Sequence, residues 1–234
     1  MSAARDAILA RLRQAIGRTG EEQAKAVETV RARLDNPRPN LVPAHTRLDR
    51  EGRVALFCEK ALAVSAEVER LARLTDAPAA VSAFLRRHDL PQKMVMAPEP
   101  MLDLAEWEQQ PLLRVRRGTA APDDAVGLTV AVAGIAETGT LMLASSREQP
   151  TLLAFLPETV IALLQAEDID GAYEDSWQRL REGLGRPPRS VNLVTGPSRT
   201  GDVGQKIELG AHGPRRLLVL VVEEAFGEAG DAPR

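Results

Sequence analysis

A single cysteine, Cys58, stands in 234 residues, and that scarcity excludes more than any motif does. The chain cannot form an intramolecular disulfide framework, nor by itself hold a cysteine-ligated iron–sulfur cluster or zinc ion. Its three histidines, His45, His88 and His212, are widely separated and no HExxH-like pair occurs, so a histidine metal site is not expected either. Aromatic residues make up only 3% of the chain, too few and too scattered for a base-stacking platform. A net charge of −3 offers no general attraction for nucleic acid. No uncharged apolar run is long enough to cross a bilayer, and "MSAARDAILARLRQAIGR" lacks the apolar core and cleavage signal of a secretory leader. These absences predict a cytoplasmic protein with no metal, no membrane span and no nucleic-acid partner.

What is present is aliphatic. Apolar residues form 44% of the sequence, enough to fill a core, and Ala, Val and Leu must do the filling. Such composition suits a sheet covered on both faces. Residues 1–40 read as a helical arm and linker. Ile8, Leu9, Leu12 and Ile16 recur at helical spacing, a second charged helix follows to Leu34, and "NPRPN" ends the pattern. That arm suits packing on a partner or on a second copy in a homo-oligomer. Residues 41–226 read as one α/β domain and 227–234 as a loose tail. Val54, Phe57, Cys58, Ala61, Leu62, Ser65, Val68 and Leu71 trace the stripe of one long amphipathic helix, which makes Cys58 a buried thiol rather than a nucleophile. Asp76 and Pro78 then open a helix, "KMVMAP" reads as a buried strand, "PMLDLAEW" as helical and "PLLRVRR" as the next strand. The alternation predicts a mostly parallel open sheet flanked by helices.

Two polar turns interrupt the apolar runs of the second half. In "GIAETGT" the backbone amides near Gly139 and the hydroxyl of Thr140 suit an anion, and Glu137 suits an acid–base role. A plain strand turn explains Gly139 and Thr140 but not Glu137. The second turn, "GPSRTGDVGQKIELGAHGP", lies between the strand-like runs "SVNLVT" and "RLLVLVV". Gly196 ends a strand, and Ser198, Arg199 and Thr200 supply two hydroxyls and a guanidinium. Asp202 suits the N-cap of a short helix ending at Gly210, and His212 is the one histidine placed to act as a base. A Gly-rich strand-to-helix turn at the carboxyl end of a parallel strand is where open α/β sheets bind ligands. Arg147, just after a strand, is expected to join Arg199 in a cationic clamp for a carboxylate or phosphate. A Ser198–Asp202–His212 triad is disfavoured, because "GPSRT" only partly matches G-x-S-x-G.

The pairing of "AGIAETGTLMLAS" with "TGPSRTGDVGQKIELGAHGP", with "LPE" between them, resembles the lactate-utilisation protein C family of LUD-domain proteins over about residues 75–224. The resemblance implies a fold similar to the sugar-phosphate isomerase and CoA-transferase group (NagB/RpiA/CoA transferase-like). It also implies a role beside two iron–sulfur proteins in oxidising lactate to pyruvate. The family's Ser-Arg-Thr-Ala-Asp-Ile-Glu becomes Ser198-Arg199-Thr200-Gly201-Asp202-Val203-Gly204 here, so its glutamate is missing. The expectation is an accessory subunit that holds no cofactor, works with cysteine-rich iron–sulfur partners and binds a small anionic ligand between the two turns. Two other readings stand beside it: a free-standing enzyme of the CoA-transferase or formyltetrahydrofolate cyclo-ligase kind, and a carboxylate-binding regulatory sensor.

Overall fold

The computed structural model describes residues 3–17, 20–37, 40–184, 188–200 and 208–224. The chain divides into two compact units between Leu41 and Val42. The first contains helices α1 (Ala3–Ile16) and α2 (Gly20–Asp35), which bury no residue. Their apolar positions, Ile8, Leu12, Ile16, Val27, Val30 and Leu34, are all exposed.

The second unit opens with α3 (Arg50–Ala63), whose N-cap Asp49 accepts the Gly52 amide at 2.8 Å. It continues through β1 (Glu67–Leu71), α4 (Ala77–Arg87), β2 (Lys93–Met96), β3 (Arg114–Arg117), β4 (Val126–Val130), β5 (Ala133–Ile135) and β6 (Thr140–Ala144). Then come β7 (Thr159–Gln165), β8 (Ile169–Asp170), α5 (Tyr173–Leu184), β9 (Val191–Val194), β10 (Arg199–Thr200), β11 (Glu208–Leu209) and β12 (Arg216–Val222). Six strands pair in the order β1-β12-β7-β4-β2-β3, every pair parallel. The expected α/β fold with a mostly parallel open sheet is therefore present. Its central strands are continuous apolar runs because both faces are covered: all of β7 is buried, and β12 is buried after Arg216. Both edge strands are charged, with Glu67, Glu69 and Arg70 on β1 and Arg114, Arg116 and Arg117 on β3, which discourages pairing with another sheet.

Alternation along β7 and β12 divides the core. Ile161, Leu163, Leu218, Leu220 and Val222 face α4, Leu102 and Trp107. Val160, Ala162, Leu164, Leu217, Val219 and Val221 face α3 and a second, four-stranded sheet of order β8-β5-β6-β9. That smaller sheet is mixed, with β5–β6 and β6–β9 antiparallel and β5–β8 parallel. Its far side packs on Leu180, Tyr173 and Trp177 of α5.

Several local expectations change. The apolar stripe from Val54 to Leu71 is two elements: α3 stops at Ala63, Ser65 takes a left-handed φ of 69°, and Val68 and Leu71 belong to β1. Asp76 precedes α4, but its carboxylate turns back to the Arg73 amide at 3.1 Å instead of capping the helix. "PMLDLAEW" forms tight 3-10 turns (Pro100–Ala105 and Trp107–Gln109), with Glu106 left-handed between them. "SVNLVT" forms β9, but it is half-buried and antiparallel to β6, so the Gly-rich turn after it does not follow a parallel strand. Glu208 and Leu209 pair with Thr200 and Arg199 as a short antiparallel ladder, so no helix runs up to Gly210.

Candidate functional site

The two polar turns do meet, and they meet on the carboxyl end of α3. Gly139, in the β5–β6 turn, has φ 66°, and a Cβ there would lie 2.3 Å from the Ala61 nitrogen and 2.6 Å from the Lys60 carbonyl carbon. Gly196, just after β9, has φ 72°, and its Cβ would lie 2.4 Å from the Val64 oxygen. Both glycines are thus demanded by backbone conformation and by close approach to the helix. A chain of hydroxyls joins the turns: Thr138 to Thr140 at 2.6 Å, Thr140 to Thr195 at 2.7 Å, and both Thr138 and Thr140 to Tyr173 at 3.0 and 3.1 Å. Thr140 is fully buried, so its two threonine neighbours and the tyrosine satisfy a hydroxyl that water cannot reach.

Arg199 completes this junction. Its Nη2 donates to the Val64 carbonyl at 3.3 Å and also to the Ser65 hydroxyl. The cation therefore sits where the α3 dipole is negative and satisfies a carbonyl left open at the helix end. The side chain is exposed, and its Nε and Nη1 donors have no protein partner among the described residues. Next to it, Ser198 is held by its backbone: its amide donates to the Pro214 carbonyl at 2.8 Å and its carbonyl accepts the Gly210 amide at 2.9 Å. Gly213 packs on Ser198, where a Cβ would be 3.3 Å from the serine Cβ. His212, immediately before it, is exposed. Thr200 is buried and pairs with Glu208. Asp202 lies outside the described residues.

Two expectations about this region do not survive. The amides around Gly139 are not open to an anion. Gly139 donates to the Ile135 carbonyl at 2.9 Å, Glu137 to that of Gly171 at 3.0 Å, and Ala136 to that of Asp170 at 2.9 Å. Arg147 and Arg199 form no clamp. In the β6–β9 ladder Ala144 opposes Val191 and Leu141 opposes Val194, so Arg147 follows one end and Arg199 the other. At least about 10 Å of strand separates the two ends. The Glu137 side chain is half-buried, with no hydrogen-bond or ion-pair partner among the described residues. Gly139, Thr140, Gly196, Ser198, Arg199 and His212 are gathered along the junction, whereas Arg147 is not.

Buried polar groups that sequence patterns did not reveal lie elsewhere. At the carboxyl end of β4, Gln149 accepts from Thr129 at 2.9 Å and from the Val130 amide at 3.3 Å, and donates to Glu99 at 3.2 Å. After β7, Arg179 holds Asp170 through two bonds of 3.0 and 2.8 Å and Asp168 at 2.9 Å. Burial outweighs the shared arginine and pushes the Asp168 carboxyl up to about 6. Both clusters join residues on separate elements, and a lone Gln or Asp between apolar runs carries no signal of that. Cys58 is half-buried on α3, and desolvation raises its thiol despite Arg70 nearby, the setting of an inert cysteine. Among the described residues no group of three or more His, Cys, Asp or Glu side chains is placed to hold a metal ion. Nor is any helix among them long and apolar enough to cross a membrane.

A family model described as LUD domain matches residues 47–222. A lactate utilization protein C of Geobacillus kaustophilus is 31% identical over 108 residues, 45% of each chain. One of Anoxybacillus flavithermus is 30% identical over 99 residues, 42% of this chain and 44% of that one. An uncharacterised protein of Neisseria meningitidis serogroup B is 35% identical over 96 residues, 41% of each chain. The chain thus aligns with less than half the length of these relatives. The crystal structure of a DUF162 family protein from Deinococcus radiodurans superposes with a TM-score of 0.57 at 21% identity, over 75% of this chain and 99% of that one. That likeness bears on the fold alone.

Proposed function

Since the chain belongs to the LUD domain family, we propose that it serves lactate utilisation as an accessory subunit that binds a small anion at the carboxyl end of α3. The similarity of about 30% to proteins named lactate utilization protein C is the observation that carries the metabolic part of this reading. The anion part rests on Arg199, an exposed guanidinium fixed by one nitrogen, whose other donors meet no partner among the described residues. A carboxylate or phosphate would take those donors in the paired geometry that guanidinium favours. Ser198 precedes it in the chain, His212 adjoins the Gly213 that packs on Ser198, and the closed turns behind them hold the backbone in place. Glu137 and His212 are the proton-handling candidates of this reading. Oxidising lactate to pyruvate removes two electrons and two protons. With a single cysteine in the chain, those electrons would pass to cysteine-rich iron–sulfur partner proteins.

Calorimetric titration of the purified chain with lactate, pyruvate and inorganic phosphate tests the ligand half, with Arg199→Ala as the comparison. Wild type should bind at least one of the three, and the variant should lose about 10-fold or more in affinity. Binding unaltered by Arg199→Ala, or none by wild type, would remove Arg199 from the site. Turnover of CoA thioesters by the purified chain alone would favour the free-standing enzyme instead.

A further inference from the structure

A second cleft, at the opposite end of α3, has the features of a ligand site of its own. It is lined by Val42, Thr46, Arg47, Leu48, Arg53, Gly171 and Asp175 and encloses about 350 Å³, enough for a small metabolite. Arg53 projects from the first turns of α3, and Arg47 from the loop before it. About 16 Å of helix separates Arg53 from Val64, so this cleft is not part of the Arg199 junction.

The chemistry of the lining is unbalanced. The Nε of Arg53 is shielded from solvent and meets no acceptor, and neither the Arg53 nor the Arg47 side chain has a hydrogen-bond or ion-pair partner among the described residues. A desolvated guanidinium N–H without an acceptor is costly, and structures rarely keep one without a reason. The wall beside these arginines is built to a tight tolerance. A Cβ on Gly171 would lie 2.4 Å from the Thr46 oxygen, so only glycine lets the two backbones touch. The Thr46 hydroxyl is occupied in bonding the Pro43 carbonyl at 2.8 Å and fixes the loop that carries Arg47. The acids nearby are already engaged or few. Asp175 accepts the Ala172 amide at 3.2 Å, Asp49 caps α3 through Gly52, and Glu137 approaches through its amide on the Gly171 carbonyl.

The geometry points to a second anion site, in which Arg53 and Arg47 receive the carboxylate or phosphate group of a small metabolite. The oxyanion supplies the acceptor that Arg53 Nε lacks, and the two guanidinium groups take its oxygens in paired hydrogen bonds. Asp175, at the rim, accepts a hydroxyl or amine of the same ligand, and its charge beside the bound oxyanion holds the affinity below what the two arginines alone would give.

The site is tested on the full-length chain by titration with pyrophosphate and, separately, with succinate, in wild type, Arg53→Gln, Arg47→Gln, Asp175→Asn and Arg199→Gln. Far-UV circular dichroism verifies that each variant is folded. The expected result is binding of at least one probe that weakens at least 10-fold in Arg53→Gln, weakens less in Arg47→Gln and tightens several-fold in Asp175→Asn. Arg199→Gln should leave it unchanged, which separates this site from the proposed α3-end site. Pyrophosphate alone responding identifies a phosphate ligand, and succinate alone a carboxylate. Absence of binding by both probes, or binding indifferent to Arg53→Gln and Asp175→Asn, would overturn the assignment.

Discussion

Replacing Gly139 by alanine puts a number on the close approach that joins the two polar turns to α3. The residue has φ 66°, and the added Cβ would stand 2.3 Å from the Ala61 nitrogen, 2.6 Å from the Lys60 carbonyl carbon and 2.8 Å from the Ala61 Cα. All three are backbone atoms of a helix anchored by Phe57 and Ala61 in the core, so no side chain can swing aside. A left-handed conformation costs alanine about 1–2 kcal/mol. Forcing a methyl group into a packed interface adds about 1–3 kcal/mol. The sum, about 2–5 kcal/mol, approaches half the stability of an ordinary domain. Gly118→Ala is the internal control: its φ of 131° is also unfavourable, but the nearest atom to its Cβ is the flexible Arg116 guanidinium at 3.6 Å. Urea denaturation followed by far-UV circular dichroism compares the two. Gly139→Ala should lose at least 1 kcal/mol more than Gly118→Ala. Equal losses would mean that the turn does not press on α3, contradicting the junction.

Gly196→Ala, whose Cβ would meet the Val64 oxygen at 2.4 Å, should be destabilised by a similar amount and should also loosen the Arg199 contact; a loss below about 1 kcal/mol would argue against the tight approach. Asp168, raised from 3.8 to about 6 by burial, binds a proton more readily folded than unfolded, so its contribution to stability declines as pH rises through that interval. Asp168→Asn should therefore gain on wild type between pH 5 and pH 8, by about 1–2 kcal/mol because the side chain is about a quarter exposed and loses its attraction to Arg179; a constant offset between the two proteins would contradict this. Cys58, with its thiol raised by burial, should react with iodoacetamide at pH 8 at least 10-fold more slowly in the native protein than in urea, and equal rates would expose it as a surface thiol.

The parallel sheet was legible because buried strands are written as unbroken aliphatic runs: "KMVMAP" and "RLLVLVV" became β2 and β12 of the six-stranded sheet. Legibility failed where one pattern fits two structures. Val68 and Leu71 continue the α3 stripe at helical spacing, yet Ser65 reverses the backbone and places them in a strand. Similarly, "SVNLVT" reads as a strand like its neighbour "RLLVLVV", but it lies half-buried and antiparallel to β6 on the smaller sheet. At the site, Gly139, Gly196 and Arg199 stand out in the sequence by their turn and charge chemistry, though the surface that needs the glycines is α3 itself. The Arg147–Arg199 clamp failed because loop residues near in composition were set at opposite ends of one strand pair. Arg53 and Gly171 carry no signal in the sequence: an arginine in an amphipathic helix and a glycine after a strand look ordinary until the fold opposes them.

The most direct test of the proposed role is lactate-dependent dye reduction by extracts of the host strain lacking this gene, with the chain added back as wild type or as Arg199→Ala. Wild type should restore pyruvate formation from lactate, and Arg199→Ala should restore it at least 10-fold less effectively. Undiminished lactate oxidation in the strain without the gene would contradict the accessory role.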